Sequence, residues 1–237
     1  MLRLLLALAP LAALPFLVGG CAPRALAAEP EGDLVVLVHG MGRTQFAMAP
    51  MGRMLRARGF ETLNVGYNSF TQDVEGIAEG VGEAVARETE RSNPARVHFV
   101  THSLGGIAVR QLLLTDPPAR TGRVVMLAPP NNGSRSADTW TPWVGWLLRP
   151  ISQLRTEKGT VRAMAPPEAT DVLVIAGDRD GKVSEAEAHL EGAQHVTVRS
   201  AHTFIMTKPS VADLAACFLR TGGTDCAGAS GNAGSGL

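Results

Sequence analysis

The chain has 237 residues, with 22 basic and 22 acidic side chains and a formal net charge of zero at neutral pH. The sequence contains no basic patch with interleaved aromatic residues, which argues against a nucleic-acid partner. Apart from its two ends, about two hundred residues remain, a length that suits one domain with a substantial core.

The N-terminal segment has the pattern of a secretory signal. Arg3 precedes an apolar stretch from Leu4 to Val18, which is too short for a comfortable membrane span. The ending Val18-Gly19-Gly20-Cys21 is similar to the lipobox of bacterial lipoproteins, in which the cysteine becomes the lipidated first residue. We therefore expect a signal peptide over residues 1–20 and a lipid anchor at Cys21. An exported, membrane-anchored lipoprotein facing the periplasm or the cell surface follows from this interpretation.

A competing cleavage site lies shortly downstream. Ala25-Leu26-Ala27 precedes Ala28 and, if used, predicts a soluble periplasmic or secreted protein. Sequencing the mature N-terminus distinguishes the two cases. Cleavage before Cys21 removes one basic residue and leaves a formal charge of −1, and residues 21–32 are then a linker to a domain over residues 33–221.

Apolar runs alternate with helical patterns along this domain. The predicted strands are Leu34–Val38, Thr62–Val65, Arg96–Val100, Arg123–Leu127, Val172–Ala176 and His195–Val198. The predicted helices are Pro50–Arg58, Val74–Arg91, Leu104–Leu114 and Ser210–Leu219. This alternation predicts an α/β fold with a mostly parallel sheet of about six strands and helices on both faces. In such sheets ligands bind beyond the carboxyl ends of the strands.

The segment from Thr101 to Ile107, THSLGGI, is the most informative motif in the chain. It joins a strand to a helix through a sharp turn that carries Ser103, which is the geometry of a nucleophile elbow. Gly105 and Gly106 supply the room that the crowded turn needs, and Thr101 replaces the glycine that usually opens the motif. Ser103 is therefore predicted to project its hydroxyl above the sheet edge, with the N-terminus of the following helix beneath it.

A serine hydroxyl needs a base within hydrogen-bond reach, and that base needs an orienting carboxylate. Of the six histidines, His202 lies on the connection between the last strand and the last helix, and we predict that it is the base. Asp178 and Asp180 both follow the fifth strand, and the residues alone do not exclude either. The order Ser, Asp, His along the chain is that of α/β-hydrolases.

With these motifs the chain resembles bacterial α/β-hydrolases of the small lipase and esterase type. The resembling segments are VVLVHGMGRT, VHFVTHSLGGIAVR, VVMLAPPNNGS, AGDRDGKVS and AHTFIM. The resemblance implies an α/β-hydrolase fold, and its spacing Gly177-x-x-Asp180 favours Asp180 as the acid. The backbone N–H of Leu104, directly after the nucleophile, is one expected oxyanion-hole donor, and the resemblance implies that the N–H of Met41 is the other.

The expected activity is cleavage of carboxylic esters, with an ester or lipid as substrate, through an acyl-enzyme. Two alternatives stay open at this point. One is an acyltransferase or thioesterase that uses the same triad, and the other is a non-catalytic lipoprotein that keeps the fold as a binding module. Neither a cofactor nor a metal site is expected, since no His or Cys pairs have ligand spacing.

The segment at about 129–171 is too long for a plain connection in a compact domain, and we interpret it as a cap. Thr141-Pro142 predicts a helix start, with threonine as the cap and proline in the first turn. Trp143, Trp146 and Leu147 then share one helical face. They are candidates for a lid that lines an acyl-chain pocket over the nucleophile, or for packing onto the body of the domain.

Two cysteines lie near the C-terminus. Cys217 and Cys226 are close in sequence and predict a disulfide in an oxidising compartment, although two independent thiols are the alternative. Residues 222–237 are rich in glycine, alanine and serine and are predicted to be a disordered tail. The sequence leaves the oligomeric state open.

Overall fold

The computed structural model describes residues 32–157, 159–167 and 170–226. The predicted signal peptide, Cys21 and most of the predicted linker and tail lie outside these ranges. Within the described ranges, no helix is both long enough and apolar enough to cross a membrane.

Six strands form one sheet in which every neighbouring pair is parallel. They are β1 (Leu34–Val38), β2 (Glu61–Val65), β3 (Val97–His102), β4 (Thr121–Leu127), β5 (Val172–Gly177) and β6 (Gln194–Val198). Their order across the sheet is β2-β1-β3-β4-β5-β6. The predicted sheet is confirmed, and each predicted strand lies within two residues of the observed one at both ends.

Helices cover both faces of the sheet. They are α1 (Ala49–Arg56), α2 (Val74–Ser92), α3 (Leu104–Thr115), α4 (Arg135–Val144), α5 (Arg149–Gln153), α6 (Glu185–Ala188) and α7 (Pro209–Thr221). Helices α2 and α3 share one apolar core with the side chains of Val36 and Val38, whereas α1 and α7 share the other with Val35 and Leu37. Because β1 is buried on both faces, its sequence is a continuous apolar run rather than an alternating one.

The cap between β4 and β5 differs from the prediction. Helix α4 begins at Arg135, after Ser134, and it ends at Val144, so that Pro142 lies in its last turn and not in its first. The reason is a distant contact: the Glu187 carboxylate accepts a hydrogen bond from the backbone N–H of Arg135 at 2.7 Å. A carboxylate at a helix N-terminus satisfies a free N–H and favours the positive end of the helix dipole. The prediction that Thr141-Pro142 starts a helix is therefore wrong.

Near the C-terminus, Cys217 of α7 is joined to Cys226 by a disulfide, with their Cα atoms 5.8 Å apart. This is the pairing expected from the sequence. The bond ties the residues that follow α7 back to that helix.

Helix α3 packs so closely on the end of β1 that one of its glycines has no room for a side chain. A Cβ atom on Gly105 would lie 2.5 Å from the carbonyl oxygens of both Val38 and His39. We expect Gly105→Ala to lower the free energy of unfolding by about 1–3 kcal/mol, the usual cost of overpacking. Urea unfolding followed by circular dichroism measures the change.

The matched control is Gly80→Ala in α2, where a Cβ atom would meet nothing within 4 Å. Since alanine favours the helix, we expect that change to raise the free energy of unfolding by about 0.5–1 kcal/mol. Similar effects at the two glycines would contradict the close approach of α3 to β1.

Candidate active site

Ser103 stands at the turn between β3 and α3. Its backbone has φ of 51° and ψ of −122°, a conformation that non-glycine residues rarely adopt and that costs on the order of 1–3 kcal/mol. The side chain does not cap α3, and the residue is 9% exposed at the wall of a cavity. The sharp turn thus presents the hydroxyl to the cavity, as an elbow requires.

His202 and Asp180 are joined by a hydrogen bond. His202 follows β6 and Asp180 follows β5, and the distance from His202 Nδ1 to Asp180 Oδ2 is 2.6 Å. The other carboxylate oxygen, Oδ1, accepts from the backbone N–H groups of Lys182 and Val183 at 2.8 and 2.9 Å. A carboxylate held in this way directs the proton of the imidazole to Nδ1, which leaves Nε2 as a proton acceptor.

The environment of Asp180 keeps it ionised. Burial raises the pKa of the Asp180 carboxyl group, but the hydrogen bond from His202 and the N–H groups of Val183 and Lys182 outweigh burial, so that the pKa is lowered overall. Its side chain has no solvent exposure. At neutral pH the group is therefore a carboxylate, which can stabilise a protonated imidazole.

The structure also separates the two aspartates that follow β5. Asp178 is exposed and accepts a hydrogen bond from the backbone N–H of Ser200 at 3.0 Å. It orders the connection after β6, whereas Asp180 contacts the histidine. The geometry thus favours Asp180, in agreement with the choice that the resemblance implied.

Two backbone N–H groups beside the nucleophile are available to a ligand. Within the described ranges, no backbone hydrogen bond uses the N–H of Met41 or of Leu104. Met41 lines the same cavity as Ser103, and Leu104 is the first residue of α3. The approach is close: a Cβ atom on Gly40 would lie 2.8 Å from His102 Nδ1 and 3.1 Å from Ser103 Cβ. The loop after β1 therefore packs directly against the elbow.

The loop that carries Met41 is held by Tyr67, a residue that the sequence analysis did not single out. The Tyr67 and His39 rings are stacked, with centroids 4.0 Å apart and planes within 6°. The Tyr67 hydroxyl donates a hydrogen bond to the backbone carbonyl of His39. Burial lowers the pKa of His39, so that its neutral form is favoured. His39 is thus a structural support of the loop. The sequence contains one weak indication that Tyr67 has a special role, which is that it is the single tyrosine of the chain.

His102 supports the connection that carries the candidate base. Its Nε2 donates a hydrogen bond to the backbone carbonyl of His202 at 3.0 Å, and the two rings lie 4.8 Å apart. Burial is the main reason that the pKa of His102 falls to about 3. His102 is consequently neutral at neutral pH, and it positions His202 without adding a positive charge to the site.

A cavity of about 300 Å³ opens in front of these groups, and Ser103, His202 and Met41 all line it. Its apolar wall includes four cap residues, Ala137, Trp140, Ile151 and Leu154, together with Val183. Arg43 and Lys182 are its charged members. Within the described ranges, no group of three or more His, Cys, Asp or Glu side chains has a metal-binding arrangement.

The predicted lid residues are oriented differently from the expectation. Trp143 and Trp146 are 75% and 83% exposed, and neither they nor Leu147 are among the residues that line the cavity. Val144 and Leu148, which neighbour these residues in the chain, are partly buried and pack against the core. The cap therefore packs on the rest of the domain through these aliphatic side chains, and the two tryptophans face solvent.

A buried arginine ties the cap to α3. Arg110 is 2% exposed, and its guanidinium donates to the Asn131 side-chain oxygen at 3.1 Å and to the Met164 carbonyl at 2.6 Å. Burial lowers the pKa of Arg110 to about 10, so that it stays charged at neutral pH. Asn131 in turn donates to the Ala188 carbonyl of α6 at 2.9 Å. The contacts link helix α3, the loop after β4, the end of the cap and α6.

A serine at a strand–turn–helix elbow, with a histidine–aspartate pair beyond the ends of the same parallel sheet, defines the α/β-hydrolase fold. The family model described as "Alpha/beta hydrolase family" matches residues 35–225 of this chain. The chain therefore belongs to the alpha/beta hydrolase family. No curated protein matches the sequence significantly.

Solved structures with the same fold include bacterial hydrolases. A lipase of Bacillus licheniformis in its mature form has 18% identity and a TM-score of 0.63, with 77% of this chain and 90% of that chain covered. An esterase of Exiguobacterium antarcticum has 14% identity and a TM-score of 0.62, with coverages of 81% and 94%. A pyrethroid hydrolase of Sphingobium faniae has 16% identity and a TM-score of 0.58, with coverages of 81% and 98%. At these identities the likeness shows the fold.

Proposed function

We propose that this protein is a serine hydrolase that cleaves carboxylic esters through an acyl-enzyme. The observation that carries the proposal is the convergence of Ser103 and His202 on one cavity, with Nδ1 of His202 held 2.6 Å from Asp180 Oδ2. The solved structures with the same fold carry names that include a lipase, an esterase and a pyrethroid hydrolase, which supports an ester substrate.

The proposed reaction has two half-reactions, acylation of Ser103 and hydrolysis of the acyl-enzyme, that use the same groups. His202 Nε2 takes the hydroxyl proton as Ser103 Oγ attacks the ester carbonyl carbon. The oxyanion of the tetrahedral intermediate accepts hydrogen bonds from the N–H groups of Met41 and Leu104. The imidazolium, stabilised by Asp180, then protonates the leaving alcohol. In the second half-reaction His202 takes a proton from water as the water oxygen attacks the acyl-enzyme. The proton then returns to Ser103 Oγ as the carboxylic acid leaves.

A panel of p-nitrophenyl esters of increasing chain length tests the proposal. We expect hydrolysis that saturates with substrate and a preferred chain length set by the cavity. No release of nitrophenol above the buffer rate for any ester would contradict ester hydrolysis. Acyl transfer to an added alcohol, without release of free acid, would instead identify an acyltransferase.

We also propose that the apolar wall formed by the cap holds the acyl chain. Trp140 is the aromatic residue of this wall, since it lines the cavity. Replacing it by Ala removes about 50 Å² of apolar contact with a long chain, or about 1.3 kcal/mol, so kcat/KM should fall roughly tenfold. We expect this loss for decanoate esters and little change for acetate esters.

Trp146→Ala is the matched control, since this tryptophan belongs to the cap but does not line the cavity. It should leave the chain-length profile of the wild type. A Trp140→Ala variant that loses activity equally on all esters, with a lower melting temperature, would show that Trp140 only stabilises the cap. A loss of activity on long-chain esters that occurs only in Trp146→Ala would instead support the sequence-based prediction that the exposed tryptophans form the lid.

The location stays a prediction. We propose an exported lipoprotein anchored through Cys21, because the N-terminal sequence is similar to a lipobox. An ester or lipid substrate is compatible with a membrane location. Labelling with a clickable fatty acid reports the lipid on Cys21 directly.

A further inference from the structure

Two cations border the cavity, and neither is neutralised. Arg43 and Lys182 both line it and are both exposed. Within the described part of the chain, neither forms an ion pair with a carboxylate. No aspartate or glutamate is among the described residues that line the cavity, and the nearby Asp180 side chain is fully covered. The cavity therefore presents an uncompensated positive charge beside the nucleophile.

Both cations are placed on the side of the candidate base. The Arg43 guanidinium donates a hydrogen bond to the hydroxyl of Thr203 at 3.3 Å, directly after His202 in the chain. The backbone of Lys182 also lies near the base, since its N–H donates to the Asp180 carboxylate that contacts His202, and the residue lines the cavity. The loop after β1 thus brings the Arg43 guanidinium to the connection that carries the candidate base, and the loop after β5 brings Lys182 to the cavity wall beside it.

This side of the cavity is where the alcohol half of an ester must lie. In the proposed reaction, the Ser103 Oγ–acyl bond forms first, and the bond from the carbonyl carbon to the alcohol oxygen breaks when the tetrahedral intermediate collapses. The proton taken from Ser103 passes through His202 to that oxygen. The leaving alcohol therefore contacts His202, whereas the acyl chain extends toward the apolar cap wall.

We infer, on the basis of the proposed function, that the protein selects esters whose alcohol half carries a negatively charged group, a phosphate or a carboxylate, which is bound by Arg43 and Lys182. A guanidinium and an ammonium group are the usual partners of these anions in proteins. The positive potential also raises the local concentration of anionic substrates, an effect that salt weakens. Arg43 and Lys182 are specificity-determining residues in this account.

The test compares butyrate esters of three alcohols: glycerol, glycerol 3-phosphate and 4-hydroxybutanoate. Butyrate release is quantified by chromatography at low salt and in 0.5 M NaCl, and kcat/KM is obtained for each ester. Exposed charge pairs are worth roughly threefold each, so we expect the anionic esters to be favoured about tenfold over the glycerol ester. The two anionic arms show whether the site favours phosphate or carboxylate.

Arg43→Gln and Lys182→Gln should each lower the ratio of anionic to neutral kcat/KM by roughly threefold, and the double variant should abolish the preference. Arg53→Gln on α1 is the control, because Arg53 is exposed and does not line the cavity. This variant has the same change in net charge and should keep the wild-type ratio.

The outcomes distinguish a failure of the anionic preference from a failure of the proposed ester hydrolysis. Hydrolysis of the glycerol ester without an anionic preference, or with a preference that the double variant retains, overturns the inference and leaves ester hydrolysis standing. An equal effect of Arg53→Gln overturns it as well, since net charge alone would then explain the preference. If none of the three esters is hydrolysed while p-nitrophenyl esters are, the inference alone is overturned. If neither set is hydrolysed, the proposed function fails as well.

Discussion

Ser103→Ala is expected to lower kcat/KM for p-nitrophenyl esters by about 10⁴- to 10⁶-fold, the usual consequence of removing a triad nucleophile. The oxyanion-hole donors and the binding wall stay in place, so a small residual rate above that of water should persist. Folding should be retained, because the hydroxyl does not cap α3 and lies at the cavity wall. Steady-state kinetics and the melting temperature of the purified variant measure both effects.

Ser152→Ala on α5 is the control for this substitution, since Ser152 is exposed and does not line the cavity. Its activity should stay within about twofold of the wild type, as expected for a surface substitution. A Ser103→Ala variant with activity within a few fold of the wild type would contradict the assignment of the nucleophile.

Asp180→Asn is expected to lower kcat by about 10⁴-fold, the loss typical when the orienting carboxylate of a triad is replaced by an amide. The amide keeps the shape of the side chain but no longer stabilises a charged imidazole and permits the wrong tautomer. Asp178→Asn is a matched change two residues away. Because the hydrogen bond that the Asp178 side chain forms within the described ranges is to the backbone N–H of Ser200 and not to His202, its variant should retain most of the activity.

The ranking of the two aspartate variants is the decisive comparison, and it is measured with one ester at saturating concentration. Equal losses, or a larger loss for Asp178→Asn, would transfer the acid role to Asp178. Melting temperatures of both variants reveal whether a loss arises from unfolding.

The sheet and the elbow could be predicted because their signals are local. Strands such as Leu34–Val38 are continuous apolar runs, and buried parallel strands have that pattern. Ser103 is followed by Gly105 and Gly106, which leave room for the sharp turn, so the turn can be recognised in the sequence. The position of His202 followed from the strand that precedes it, whereas the choice of Asp180 over Asp178 came from the family resemblance.

The cap and the surroundings of the elbow could not be predicted in the same way, because distant contacts decide them. Helix α4 starts at Arg135 because Glu187, fifty-two residues later, accepts its first N–H. The stacking of Tyr67 on His39 and the approach of Arg43 to Thr203 join residues from separate loops. No short sequence pattern reports such pairs.

The central claim is that Ser103 is a nucleophile activated by His202, and reaction with a fluorophosphonate probe tests it most directly. Intact-mass spectrometry and peptide mapping of the labelled protein identify the modified residue. The account predicts a single adduct on Ser103 in the wild type, no adduct in Ser103→Ala and much slower labelling in His202→Ala. An adduct on another residue, or a wild-type protein that stays unlabelled under conditions that modify a known serine hydrolase, would contradict it.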